Sequence, residues 1–134
     1  MVLSRPTLLI TDDDRDFRET LRGVFEPRGF DTYLASDGEE ALDIVQKQDV
    51  HLLLLDMHMP RLSGLETIRR VKQFRDLLPC ILMSAGLDED LAEEARRANA
   101  FSVLRKPVRF RVITGVVREA MRNVYGWPLL DHEK

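Results

Sequence analysis

Residues His51–Pro60 spell HLLLLDMHMP. Four consecutive leucines, Leu52–Leu55, run straight into Asp56. A run of that length without alternation suits a strand buried on both faces, as in a parallel sheet. A buried helix segment shares the pattern, but Pro60 and Gly64 close the run quickly. Asp56 then stands at the carboxyl end of the strand. Open α/β sheets bind their ligands at that edge. Aspartate is also a common turn residue, so position alone leaves a capping role open.

The flanking chain repeats one unit. Thr7–Thr11 (TLLIT) is an apolar, β-branched strand that ends in Asp12, Asp13 and Asp14. Phe17, Leu21, Val24 and Phe25 recur at helical spacing, so a helix begins near Asp14 and stops before Pro27 and Gly29. Asp14 fits the cap of that helix better than a ligand. Phe30–Ala35 is a second, less apolar strand, nearer an edge. Ser36-Asp37-Gly38 forms a capped turn, and Ala41, Leu42 and Val45 give the second helix one apolar face. After Leu52–Leu55, Ser63-Gly64 precedes a third helix marked by Leu65, Ile68 and Val71. Cys80–Ser84 is the fourth strand, and Ala85-Gly86 a tight loop. The fourth helix spans about Asp88 to Ala98, with Leu91, Ala92 and Ala95 inward. Ser102–Arg105 is the fifth strand, ended by Lys106-Pro107. Val112, Ile113, Val116, Val117, Ala120 and Val124 form the apolar face of the last helix, which Gly126 and Pro128 stop.

Five strand–helix units require parallel strands, and right-handed crossovers put helices on both faces. The expected fold class is α/β, a doubly wound five-stranded parallel sheet. All strands then present their carboxyl ends on one edge. Asp12, Asp13, Asp56, Ser84 and Lys106 converge there.

Bulk properties bound the function. The chain has 134 residues, 44% of them hydrophobic, which is enough for one domain with a real core. A net charge of −3 does not support direct nucleic-acid binding. No stretch has the length of a membrane span, and Met1–Pro6 lacks a signal-peptide run. The single cysteine, Cys80, sits in an apolar run and is expected to be inert core packing. The cytoplasm is the expected compartment.

The converging groups define a chemistry. Carboxylates about 4 Å apart repel by roughly 4 kcal/mol at an effective dielectric near 20. Such a cluster raises a pKa or holds a cation. Oxygen-only ligands in an open loop site favour a hard ion, Mg²⁺ first. Lys106 adds a positive charge and Ser84 a hydroxyl donor. Together these groups suit a dianionic phosphoryl group, with Asp56 as the oxygen nucleophile.

DDD after strand one, LLLLDMHMP at strand three, MSAG at strand four and RKP at strand five together resemble the receiver domain of bacterial two-component response regulators. The resemblance runs from about Thr7 to Tyr125. It implies a (βα)₅ flavodoxin-like fold of strand order 2-1-3-4-5, with residues 1–125 as the receiver and 126–134 as a tail or the start of a linker. It implies that Asp56 is the phosphoacceptor and that Asp13 binds Mg²⁺ directly. Asp12 would act through water and His58 through its backbone carbonyl. Ser84 would hydrogen-bond the phosphoryl group beside the small Ala85, and Lys106 would pair with a phosphoryl oxygen. The implied partner is a sensor histidine kinase or phosphotransfer protein. The implied role is regulatory, with no enzymatic action on other substrates. The face made by helix four, strand five and helix five would carry the signal.

Two positions depart from the family pattern. Val103 stands where an aromatic usually lies, three residues before the lysine. Phe101, two residues earlier, is expected on the same strand face and is a candidate to take over. Val108 follows Pro107 where Phe is common. The His58 side chain either flanks the attacking water or is an exposed loop histidine with no role. Arg111, Arg118 and Arg122 share a face of the last helix. That face is either plain solvated surface or a contact for the acidic helix four of a second copy in a symmetric dimer. Two other functions compete with the phospho-switch. One is a degenerate receiver acting only as an interaction module. The other is a Mg²⁺-dependent phosphohydrolase with Asp56 as nucleophile and His58 in place of the usual second aspartate.

Overall fold

The computed structural model describes residues 5–127. Five strands, β1 (Thr7–Thr11), β2 (Asp31–Ala35), β3 (Leu52–Asp56), β4 (Cys80–Ser84) and β5 (Ser102–Arg105), alternate with five helices. These are α1 (Arg15–Phe25), α2 (Gly38–Lys47), α3 (Gly64–Phe74), α4 (Glu89–Arg97) and α5 (Phe110–Tyr125). A 3₁₀ turn, Glu26–Arg28, follows α1. All strand pairs are parallel, in the order β2-β1-β3-β4-β5. This is the flavodoxin-like receiver fold expected from the sequence.

The Leu52–Leu55 run lies at the centre of the sheet because it serves two cores at once. Leu53 and Leu55 pack with α2, α3 and α4 through Ala41, Val45, Ile68, Val71 and Ala95. Leu52 and Leu54 pack on the other face with α1 and α5 through Leu21, Phe25, Ile113 and Val117. All four leucines are fully buried, each worth about 1.5–3 kcal/mol relative to exposure. β2 is an edge strand and alternates accordingly: Asp31 and Tyr33 are exposed while Thr32 and Leu34 are half-buried.

Side chains fix the starts of the first four helices. The Asp14 carboxylate accepts from the N–H groups of Asp16 and Phe17, Asp37 from Glu40, Ser63 from Glu66, and Asp88 from Leu91. Asp14 is therefore a cap. Cys80 is buried, and that burial pushes its thiol up to about 12, so it is unreactive packing.

Three expected details are corrected. Ala92 is exposed, and Ala98 packs against the core with Leu91 and Ala95 in its place. Val112 and Val124 are 44% and 42% exposed, so the buried stripe of α5 is Ile113, Val117, Ala120 and Met121. Phe30 is buried but precedes β2. At the start of the expected tail, Trp127 packs back on the domain. Gly126 closes α5 in the left-handed region, the Trp127 N–H donates to the Met121 carbonyl at 3.2 Å, and the indole packs edge-on to Phe30 at 5.0 Å. The rest of the expected tail, including His132, lies outside the described residues.

Gly64 sets how closely α3 approaches the end of β3. A methyl group there would collide with the Asp56 carbonyl oxygen and come within 2.7 Å of Leu82 Cδ1. Gly115, on the exposed side of α5, has open space around it. Gly64→Ala is expected to cost about 1–3 kcal/mol by overpacking. Gly115→Ala is expected to gain about 0.5–1 kcal/mol through helix propensity. Urea denaturation of the two variants checks both signs.

Candidate functional site

Each site residue is placed by the end of a strand. β1 delivers Asp12 and Asp13, β3 Asp56 and β4 Ser84, while Lys106 directly follows β5. Three backbone bonds hold these ends together. The Asp12 N–H donates to Ala35 O at 3.1 Å, Met57 N–H to Met83 O at 2.7 Å, and Lys106 N–H to Ser84 O at 2.9 Å. Sheet register therefore brings together residues up to 94 positions apart in the chain.

At the centre is one cation between two buried carboxylates. Lys106 Nζ lies 2.9 Å from Asp56 Oδ1 and 3.2 Å from Asp12 Oδ2. Asp12 is 1% exposed and Asp56 5%. The ammonium also sits 5.0 Å from the centre of the Phe17 ring, within cation–π range. Asp12 has two further fixed contacts. Its Oδ1 accepts from the Asp14 N–H at 2.9 Å, and its carbonyl accepts from Arg18 Nη1 at 2.7 Å.

The third carboxylate, Asp13, is exposed. One oxygen from each of Asp12, Asp13 and Asp56 falls within 4.8 Å of the others, a cluster able to hold a metal ion. Three carboxylates against one ammonium leave a formal charge of −2, and the donors are all oxygen. That set fits a hard divalent cation.

The titration directions follow from the geometry. Burial pushes the Asp12 carboxyl above its ordinary 3.8; the Asp14 N–H and the Lys106 charge oppose this, and Asp56 adds to it. For Lys106, burial works against the charge. The bond to Asp56 and the charges of Asp12 and Asp56 outweigh it and hold Lys106 above 10.5.

Ser84 is fully buried. Its hydroxyl oxygen accepts the Gly86 N–H at 3.0 Å and lies 3.4 Å from His58 Nε2. The His58 side chain, on the exposed β3–α3 loop, therefore reaches the site. His51 lies at the other end of β3. Its Nδ1 accepts the Thr7 N–H at 2.9 Å and its carbonyl accepts the Tyr125 hydroxyl at 2.8 Å, which ties α5 to the sheet.

Phe101 is not where the sequence put it. It packs with the α1 and α5 core, whereas Val103 packs on the α2, α3 and α4 side. Residue 101 precedes β5, so strict strand alternation does not extend to it. Phe101 therefore does not stand in for an aromatic at Val103. Phe17 and Arg18 were missed as site residues. The helical spacing of Phe17 marks it only as a core residue, and nothing in DDDRDFR marks Arg18 as a partner for a carbonyl.

An open parallel sheet with this acidic edge defines a receiver-type α/β protein. The comparisons agree. The profile described as response regulator receiver domain matches residues 8–118. The sporulation initiation phosphotransferase F of Bacillus subtilis (strain 168) is 34% identical over 112 residues, covering 84% of this chain and 90% of that protein. The response regulator MprA of Mycobacterium avium (strain 104) is 35% identical over 116 residues, 87% of this chain, which spans only 51% of MprA. Among solved structures, a receiver protein from Pseudomonas putida matches with a TM-score of 0.82 at 30% identity, covering 88% of this chain and 99% of that one. A CheY-like receiver from Methanospirillum hungatei JF-1 shares the fold, with a TM-score of 0.88 at 21% identity, covering 92% and 98%. The chain belongs to the response regulator receiver domain family, the regulatory domains of two-component signalling. Among the described residues, no helix is long and apolar enough to cross a membrane.

Removing the Lys106 charge should expose the cost of the site. Lys106→Met leaves two buried carboxylates unpaired and is expected to destabilise the ion-free protein by about 3 kcal/mol at pH 7. The loss should shrink as pH falls towards the raised Asp12 value, because a protonated carboxyl needs no counter-charge. In the parent protein the Lys106 contribution is present below 10.5 and lost as pH rises through its higher folded value. Denaturation midpoints of both proteins across pH check these signs.

Proposed function

We propose that this domain accepts a phosphoryl group on Asp56 from a sensor histidine kinase or phosphotransfer protein and switches an output in response. The observation that carries the proposal is the Lys106 ammonium, held 2.9 Å from one Asp56 oxygen. An Asp56 carboxylate oxygen attacks phosphorus in line, the P–N bond of the donor phosphohistidine breaks, and the imidazole departs with that electron pair. Lys106 is placed to follow the charge that moves onto the phosphoryl oxygens, and Ser84 offers a hydroxyl donor beside them. Water later cleaves the acyl phosphate.

Mg²⁺ fits the oxygen donors and the −2 charge. Asp13 and Asp56 would bind it directly, with the His58 backbone carbonyl, and Asp12 through water. Bound there, the ion supplies positive charge against the phosphoryl group. Asp12 and Asp56 are nearly inaccessible while Asp13 is exposed, which makes Asp13 the entry side of the site.

For the output we propose the α4–β5–α5 surface. With Val103 small, the pull of the phosphoryl group on Ser84 and the Ala85–Gly86 loop replaces an aromatic swing as the link to α4. Arg111, Arg118 and Arg122 are exposed on α5. Glu93 is already paired with Arg96 and Arg97 of its own helix, so Glu89, Asp90 and Glu94 are the α4 carboxylates suited to meet them in a symmetric dimer. Residues 126–134 are assigned as a tail or the start of a linker. The cytoplasm is the compartment where such a kinase would deliver phosphate.

Acetyl phosphate with Mg²⁺ is expected to add one phosphoryl mass to the protein, located on Asp56. Asp56→Asn should abolish it. Intact-mass and peptide mass spectrometry check this; phosphate of undiminished stoichiometry on the variant would contradict the assignment.

A further inference from the structure

We propose that His58 is a positioning residue that holds the Ser84 hydroxyl in its resting place and so sets how fast Asp56 is phosphorylated. The proposal rests on the reading of Asp56 as the acceptor and adds a control on that site.

The argument begins with the valence of one hydroxyl. Ser84 Oγ has one hydrogen to give and two lone pairs to fill. The Gly86 N–H fills one lone pair at 3.0 Å. Among the described residues, the side chain that meets the hydroxyl is His58, with Nε2 at 3.4 Å. With the ring proton on Nδ1, Nε2 is the acceptor and takes the one hydrogen Ser84 can donate. A phosphoryl oxygen on Asp56 needs that same hydrogen, so ring and phosphoryl group compete for it.

The surroundings make the hold weak and reversible. The contact is long for an O–H···N bond and breaks at small cost. His58 lies on an exposed loop, so the ring has solvent to turn into, whereas Ser84 is fully buried. The ring also lies beside the next loop: a methyl group at Gly86 would be 3.6 Å from His58 Nε2. One side chain from the β3–α3 loop thus pins the start of the β4–α4 loop, the segment assigned above to carry the signal. Loss of the ring nitrogen should free Ser84 before the phosphoryl group arrives.

The test measures the rate of phosphorylation by acetyl phosphate in Mg²⁺, read by intact mass, for four proteins. They are the parent, His58→Leu, Ser84→Ala and the double variant; His58→Gln serves as the conservative control. Leucine keeps bulk over the site but cannot hydrogen-bond. His58→Leu is expected to accelerate phosphorylation about fivefold, the scale of one net hydrogen bond, and His58→Gln to stay near the parent rate. In the Ser84→Ala background His58→Leu should have no effect, because the group it acts through is gone. A rate that is unchanged or slower in His58→Leu overturns the proposal. So does an equal acceleration in the Ser84→Ala background, which would show that His58 acts on Asp56 directly. The Gly86 amide shift of the phosphate-free protein gives a second readout: it should move in His58→Leu, and a fixed shift overturns the hold. A parent protein that takes up no phosphate defeats the acceptor reading, and the rate claim with it, while the Gly86 shift still reports on the contact.

Discussion

The site depends on one ammonium shared by two buried carboxylates. Asp12 and Asp56 stand at the ends of neighbouring strands and are nearly inaccessible, a placement that costs several kcal/mol per uncompensated charge. Lys106 offsets part of that cost and reaches them because β5 ends beside β4, which ends beside β3. The sheet register, the Phe17 ring under the ammonium and the Gly64 approach behind Asp56 all serve this geometry. Adding Asp13 sets three carboxylates against the one Lys106 ammonium. Stability is given up at the strand ends to keep an electrostatic site ready.

Much of this was legible in the sequence. LLLLD could be read because a strand buried on both faces has no polar side to interrupt it, and Leu52 and Leu53 do enter opposite cores. The capping residues Asp14, Asp37, Ser63 and Asp88 announced four helix starts through their own chemistry. Parallel connectivity then gathered Asp12, Asp13, Asp56, Ser84 and Lys106 on one edge without any knowledge of coordinates.

What was missed depended on rotation and irregular backbone. Ala92 for Ala98, and Val112 and Val124 for Met121, are errors in the angular placement of a helix stripe, which spacing fixes only to within a residue or so. Phe101 failed because the two-residue period holds inside a strand and Phe101 lies just outside β5. Phe17 and Arg18 were hidden because a side chain can serve the core and a neighbouring charge at once. The His58 contact with Ser84 joins two loops, and loop geometry leaves little trace in hydrophobic pattern.

The central claim is that Asp12, Asp13 and Asp56 repel one another until a divalent cation joins them. The most direct measurement is thermal unfolding with and without Mg²⁺ for the parent protein and Asp13→Asn. At about 100 times its Kd, the ion should stabilise the parent by about 2.7 kcal/mol. Asp13→Asn should lose most of that gain and melt higher than the parent when metal-free, since one repelling charge is gone. A metal-free Asp13→Asn protein that melts lower than the parent, or a parent indifferent to Mg²⁺, would contradict the account.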